Sequence, residues 1–141
     1  MQDALAGIIN LVGRILLASV FLLTALVSKI PDFYHVAEQM AQEGVPFPKV
    51  MLAGAIVFLL AGSLSLIVGF KAKTGALLLL IFTIAGTYYF HHFWTFTEPE
   101  LMQEQLKSFM KNLSIMGGLL MIIANGPGPF SFDAKHSARK A

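Results

Sequence analysis

Apolar residues in this chain come in long runs rather than in alternation. Four runs, at about 5–28, 50–70, 74–92 and 106–125, are separated by shorter polar stretches. Each is close to the roughly 20 residues a helix needs to cross the hydrocarbon core of a bilayer. Lipid offers the backbone no hydrogen bonds, so such runs must be helices or the strands of a closed barrel. Strand-type alternation is missing, which excludes the barrel. The pattern therefore predicts an all-α, integral membrane four-helix bundle. Between the first two runs, Pro31 opens a further element in which Phe33, Val36, Ala37 and Met40 recur at helical spacing. This is a short amphipathic interfacial helix near 31–43, ended by Gly44, Pro46 and Pro48. Such a helix either lies flat on the membrane or forms a lid over a cavity in the bundle.

The joints between the runs refine this outline. Only Lys71-Ala72-Lys73 and its neighbours separate the second and third spans, so those two form an antiparallel hairpin. Ala61, Ser65 and Gly69 give the second span a ridge of small residues, which in lipid allows helices to approach closely. The third span ends in an aromatic cluster from Tyr88 to Phe96 that includes Trp94, the composition of a membrane–water interface. Thr97-Glu98-Pro99-Glu100 reads as a helix start with Thr97 capping the first turn and Pro99 where no donor is needed. Asn125-Gly126, followed by Pro127 and Pro129, ends the fourth span. Residues 1–126 are thus expected to be a single four-helix transmembrane domain, and 127–141 a short, basic, mobile cytoplasmic tail.

Composition agrees. The chain is 56% hydrophobic and 13% charged, with a mean hydropathy of +0.71, where a soluble domain carries about a quarter charged residues. The first span is not a cleaved signal: its head carries Asp3 and no basic residue, and Arg14 interrupts the apolar stretch. With four spans, Lys71, Lys73, Lys135, Arg139 and Lys140 share one side of the membrane, and Lys29, Lys49 and Lys107 lie on the other. The positive-inside rule then places the N- and C-termini in the cytoplasm of a bacterial cell, the protein being multi-pass in the inner membrane. The few basic residues sit beside spans and orient them, which argues against nucleic acid as a partner. Cysteine is absent, so the chain can form no disulfide and run no thiol relay; redox chemistry would need a cofactor, a quinone or a protein partner.

Only two charged side chains lie well inside the spans, Arg14 and Lys111, and both are cations without an acid in any span to meet them. An ionisable residue at membrane depth is costly and is by default a candidate functional position. Arg14 lies about nine residues into its span, roughly 13 Å deep at 1.5 Å per residue. Lys111, with Asn112 beside it, belongs to the opposite half of the bilayer, so the two are separate questions rather than one anion site. Lys29 sits at a span end, where it can snorkel. His91 and His92 close the third span and His35 lies in the interfacial element on the same side. No second span contains a histidine at matching depth, which disfavours haem, and the spacing of His35, His91 and His92 picks out no metal site. No nucleophile elbow, phosphate loop or carboxylate pair is visible, which leaves enzymatic activity open. The candidates for a ligand site or charge network are Arg14, Lys29, His91, Trp94, Lys111 and Asn112.

Several blocks resemble the DoxX family of small four-helix bacterial inner-membrane proteins. They are Gly13-Arg14-Ile15-Leu16-Leu17 with Phe21 and Ser28-Lys29; Phe90-His91-His92-Phe93-Trp94; Phe109-Met110-Lys111-Asn112-Leu113; and Asn125-Gly126-Pro127-Gly128 before Ser131-Phe132-Asp133-Ala134. One departure is the absence of an acid near Phe58 or Leu59, where relatives of that kind carry one to pair with a buried cation. The resemblance implies a non-catalytic or accessory membrane subunit of a redox system, quinone-linked or oxidative-stress related, with a redox protein as partner and quinone as the candidate cofactor. The alternatives are a small oligomeric transporter or solute-handling protein, a homo-oligomer in the bilayer, or a membrane scaffold with no ligand.

Overall fold

In the computed structural model, which describes residues 2–138, the chain is helical wherever the sequence is apolar. Helix α1 (Gln2–Leu23) continues into a π-helical stretch, Thr24–Lys29. There the Ile30 N–H donates to the Ala25 carbonyl at 3.0 Å, the wider i to i+5 spacing. Helix α2 is Phe33–Gln42, α3 Pro48–Val68 and α4 Ala72–Phe90. A single 3₁₀ turn, Phe93–Thr95, leads into α5 (Pro99–Asn125), and a short α6 (Phe132–Ala138) follows. The four long helices, α1 with its π extension, α3, α4 and α5, are each long and apolar enough to cross a membrane.

Their packing follows chain order. Helix α1 packs on α3, α3 on α4 and α4 on α5, while α1 and α5 barely meet, with Leu17 lying over Gly118. The four spans form an arc with α1 and α5 as its free edges. Ala18, Phe21, Leu59, Leu66, Leu79 and Leu119 fill the inside of that arc, and Leu5, Ile9, Leu16, Val57 and Met121 face outward where lipid would be. The tight seam is between α3 and α4. A Cβ on Gly62 would lie 2.6 Å from Leu79 Cγ and 2.9 Å from the Gly75 carbonyl oxygen, so only glycine lets these backbones come so close. This corrects the expected ridge by one residue: Ala61 points outward and Gly62 takes its place, with Ser65 facing Gly75.

The amphipathic element does pack on the bundle. Val36, Ala37 and Met40 of α2 are buried with Leu52, against Ile56, Tyr89 and Phe90. The start of α5 differs from expectation. Glu98, in extended conformation, is the residue before the first turn, Pro99 sits at its start, and no side chain caps it. Thr97 is therefore one residue too early to serve.

Candidate functional site

Polar groups collect at the two ends of the bundle. At the end carrying α6 they are built around Arg14, which is 2% exposed. The reason is local. Helix α3 stops at Gly69, which takes a left-handed φ of 72°, and leaves its last carbonyls without intrahelical partners. Arg14 Nη1 donates to one of them, Leu66 O, at 3.2 Å, and Nη2 donates to Phe130 O at 2.6 Å. The second acceptor exists because the chain doubles back after α5, with Gly126 and Gly128 both at positive φ.

That return segment is held by its own polar residues. Ser131 Oγ donates to Gly128 O at 2.6 Å and accepts from the Ala134 N–H at 3.2 Å. The Asp133 N–H donates to Gly69 O at 2.9 Å. The Asp133 carboxylate accepts from the Lys71 and Ala72 N–H groups at 2.8 and 3.0 Å, so it caps α4 from 61 residues downstream. It is also the negative charge that acts on Arg14. Up to Ala138, then, the expected mobile tail is a folded clasp; Arg139 and Lys140 lie outside the described residues. A Cβ on Gly69 would collide with the Arg14 guanidinium and with Ser131. Arg14 Nε and Asn10 Oδ1, on successive turns of α1, are buried and find no hydrogen-bond partner among the described residues.

Lys111 is not brought to Arg14. It stands exposed on the outer face of α5, with no hydrogen bond or ion pair to Asp32, Glu104 or any other described residue. Its neighbour Asn112 turns inward instead. Asn112 Nδ2 donates to Thr87 Oγ1 at 2.9 Å, Thr87 Oγ1 to Thr83 O at 2.6 Å, and Thr83 Oγ1 to Leu79 O at 2.7 Å. This is a descending polar line along α4. Lys29 ends the π stretch, half-buried.

At the opposite end, α2, the close of α4 and the start of α5 border a half-open polar pocket of about 350 Å³ lined by Gln39, Gln42, Glu43, Phe90, His91, Phe96 and Gln105. His91 Nδ1 is paired with Gln105 Oε1 at 2.8 Å, which puts the ring proton on Nδ1. His92 stacks on Phe96, ring centroids 5.6 Å apart, with its Nε2 3.9 Å from Glu43 Oε2. His35 is paired with Gln39 along α2 and takes no part in a cluster with His91 or His92. No group of three metal-ligating side chains occurs among the described residues. Trp94 is half-exposed beside the pocket, its ring 6.3 Å from that of His92 and edge-on to Phe93. Sequence reading missed Gln39, Gln42, Glu43 and Gln105, whose type alone marks no chemistry. It also missed the ligating role of the backbone at Phe130; the run of turn-forming residues from Asn125 to Pro129, ahead of Ser131 and Asp133, was the available signal.

Comparison with known proteins places this architecture. A sequence model of the SURF4 family matches residues 2–138. The chain is 36% identical to the inner membrane protein YqjF of Escherichia coli over 123 residues, 87% of this chain and 88% of that one. It is 27% identical to the inner membrane protein YphA of the same organism over 128 residues, 91% of this chain and 90% of that one. It also matches a Surfeit locus protein 4 homolog of Drosophila melanogaster, at 31% identity over 88% of this chain but only 39% of that longer protein. No solved structure matches the chain. These matches overturn the resemblance to DoxX. The blocks that carried it, a cation in the first span, an aromatic belt and a Gly-Pro exit from the last, are features many small membrane bundles need. The expected redox association and quinone rested on that resemblance, and they go with it.

Proposed function

The chain belongs to the SURF4 family, and from that premise we propose that it is a non-catalytic, multi-pass inner-membrane protein that binds a small polar solute in the pocket beneath α2. The observation that carries this reading is the pocket's chemistry. Its amides, His91 and Glu43 offer donors and acceptors side by side, and Phe90 and Phe96 supply an apolar wall. A few convergent polar groups against aromatic surface are what orients a small molecule in a site. The line from Asn112 through Thr87 to Thr83 continues polar character from that end toward the middle of the bundle. Helix α2 is then the lid, held by Val36, Ala37 and Met40.

The pocket faces away from the cytoplasm in this reading. Lys71, Lys73 and Lys135 lie at the α6 end and Lys29, Lys49 and Lys107 at the other, so the described residues balance, and Arg139 and Lys140 tip the sequence toward a cytoplasmic α6 end. A second reading, a scaffold without a ligand, draws on Arg14, whose guanidinium is taken up by the protein's own carbonyls.

Trp94 is the single tryptophan of the chain and stands beside the pocket. It should report binding without a label. Titrating the purified protein with amino acids, polyols and sugars should give a saturable fluorescence change for one class, abolished in Gln105→Ala and kept in Lys49→Gln. Unchanged fluorescence and melting temperature across all three classes would leave the scaffold reading standing.

A further inference from the structure

A second concavity lies at the α6 end, and the pocket under α2 plays no part in it. Helix α3 stops at Gly69, α4 starts at Ala72 and α5 stops before Gly126. The clasp crosses all three, leaving an open groove of about 680 Å³ whose walls include Lys71, Lys73, Thr74, Asn125, Asp133 and Ser137. Because three spans reach the surface here, the groove lies at the level of lipid headgroups.

Cations outnumber the acid in it, Lys71 and Lys73 against Asp133. The Asp133 carboxylate is held in place by backbone N–H groups at 2.8 and 3.0 Å, one on each oxygen. No ion pair forms at this end among the described residues. Lys71 Nζ rests 5.8 Å from the centre of the Phe70 ring, and Lys73 Nζ reaches across to the Ala124 carbonyl at 3.4 Å. Each ammonium therefore keeps donors free, with the Thr74 and Ser137 hydroxyls and the Asn125 amide around them. Beside the groove, the half-exposed rings of Phe70 and Phe132 stand edge to face, 6.1 Å apart.

We propose that this groove binds the phosphate of an anionic phospholipid, with Lys71 and Lys73 meeting its charge. A phosphodiester offers acceptors and one negative charge to two lysines that meet no acid among the described residues. A zwitterionic headgroup would bring its own cation into a groove that already has two. The two phenylalanines supply apolar surface where the glycerol and first acyl carbons of such a lipid lie, which a free phosphate would leave unused. Juxtamembrane lysines near an anionic lipid surface each contribute about five-fold in affinity.

The test is native mass spectrometry of the intact protein released from nanodiscs holding equal amounts of phosphatidylglycerol and phosphatidylcholine with identical acyl chains. Phosphatidylglycerol should be retained at least ten-fold more than phosphatidylcholine. Lys71→Gln/Lys73→Gln should bring the ratio near one, Lys71→Arg/Lys73→Arg should preserve it, and Lys107→Gln at the far end should not change it. Circular dichroism on the glutamine pair confirms folding, and the arginine pair carries the test if that variant unfolds. Equal retention of the two lipids, or a preference indifferent to the glutamine pair, overturns the proposal. Loss of the preference in Lys107→Gln overturns it as well, by making it a property of overall charge. Inorganic phosphate that protects the lipid-free protein against heat and displaces phosphatidylglycerol at millimolar concentration would reassign the groove to a soluble anion.

Discussion

Arg14 has two carbonyls as direct partners, and that choice decides what its removal does. A planar guanidinium can donate in two directions at once, which an ammonium at the end of a flexible stem cannot do from the same place. Leu66 O and Phe130 O belong to segments 64 residues apart, so Arg14 ties the end of α3 to the clasp. Arg14→Met should leave both carbonyls and the Asp133 charge without it, a loss of about 3–6 kcal/mol if each of the two charge-assisted bonds contributes its usual share. Arg14→Lys should recover less than half. Urea denaturation in detergent gives the magnitude, and cleavage by a protease after Asn125 reports whether the clasp opens. Melting of Arg14→Met at the wild-type temperature with no new cleavage would show that the clasp holds without it. The position of Arg14 was legible because a cation among aliphatic residues has no ordinary reason to be there. Its partners were hidden, since a backbone carbonyl at residue 130 has no sequence signature and Asp133 lies outside every span.

Helices were legible where hydrophobicity alone decides and obscure in how they turn about their axes. Spans α3 and α4 are apolar nearly all round, so no polar stripe marks the buried side; Ser65 was rightly placed in the seam, but Ala61 was read where Gly62 belongs. In α2 the buried side was plain, because Val36, Ala37 and Met40 contrast with Glu38 and Gln39 across the turn. Glycine in the α3–α4 seam acts through steric fit. Gly62→Ala must push Leu79 or the Gly75 backbone aside, and should destabilise by about 1–3 kcal/mol, the usual penalty of overpacking. Gly54 and Gly86 have nothing within 4 Å of a new Cβ; alanine there should be neutral or stabilising by up to about 1 kcal/mol. Thermal unfolding of the three variants in one detergent separates fit from propensity. Equal behaviour of all three would mean the seam relaxes freely.

As a whole the molecule is a bundle with different chemistry at its two ends: a half-open polar pocket beside α2, and a cationic groove beside α6. Which end meets the cytoplasm decides what each can encounter, and the basic residues lean toward a cytoplasmic α6. The absence of cysteine makes the question direct, since one introduced thiol is the only one present. Glu38 on α2 and Ser137 on α6 are both exposed, and their side chains make no hydrogen bond among the described residues. Intact cells treated with a membrane-impermeant maleimide should label Glu38→Cys at once, and Ser137→Cys only after permeabilisation. The reverse pattern would turn the pocket toward the cytoplasm and make its solute a cytoplasmic one. It would leave the lipid groove in place but move it to the other leaflet, because Lys71, Lys73 and the two phenylalanines meet the headgroup layer whichever way the chain crosses.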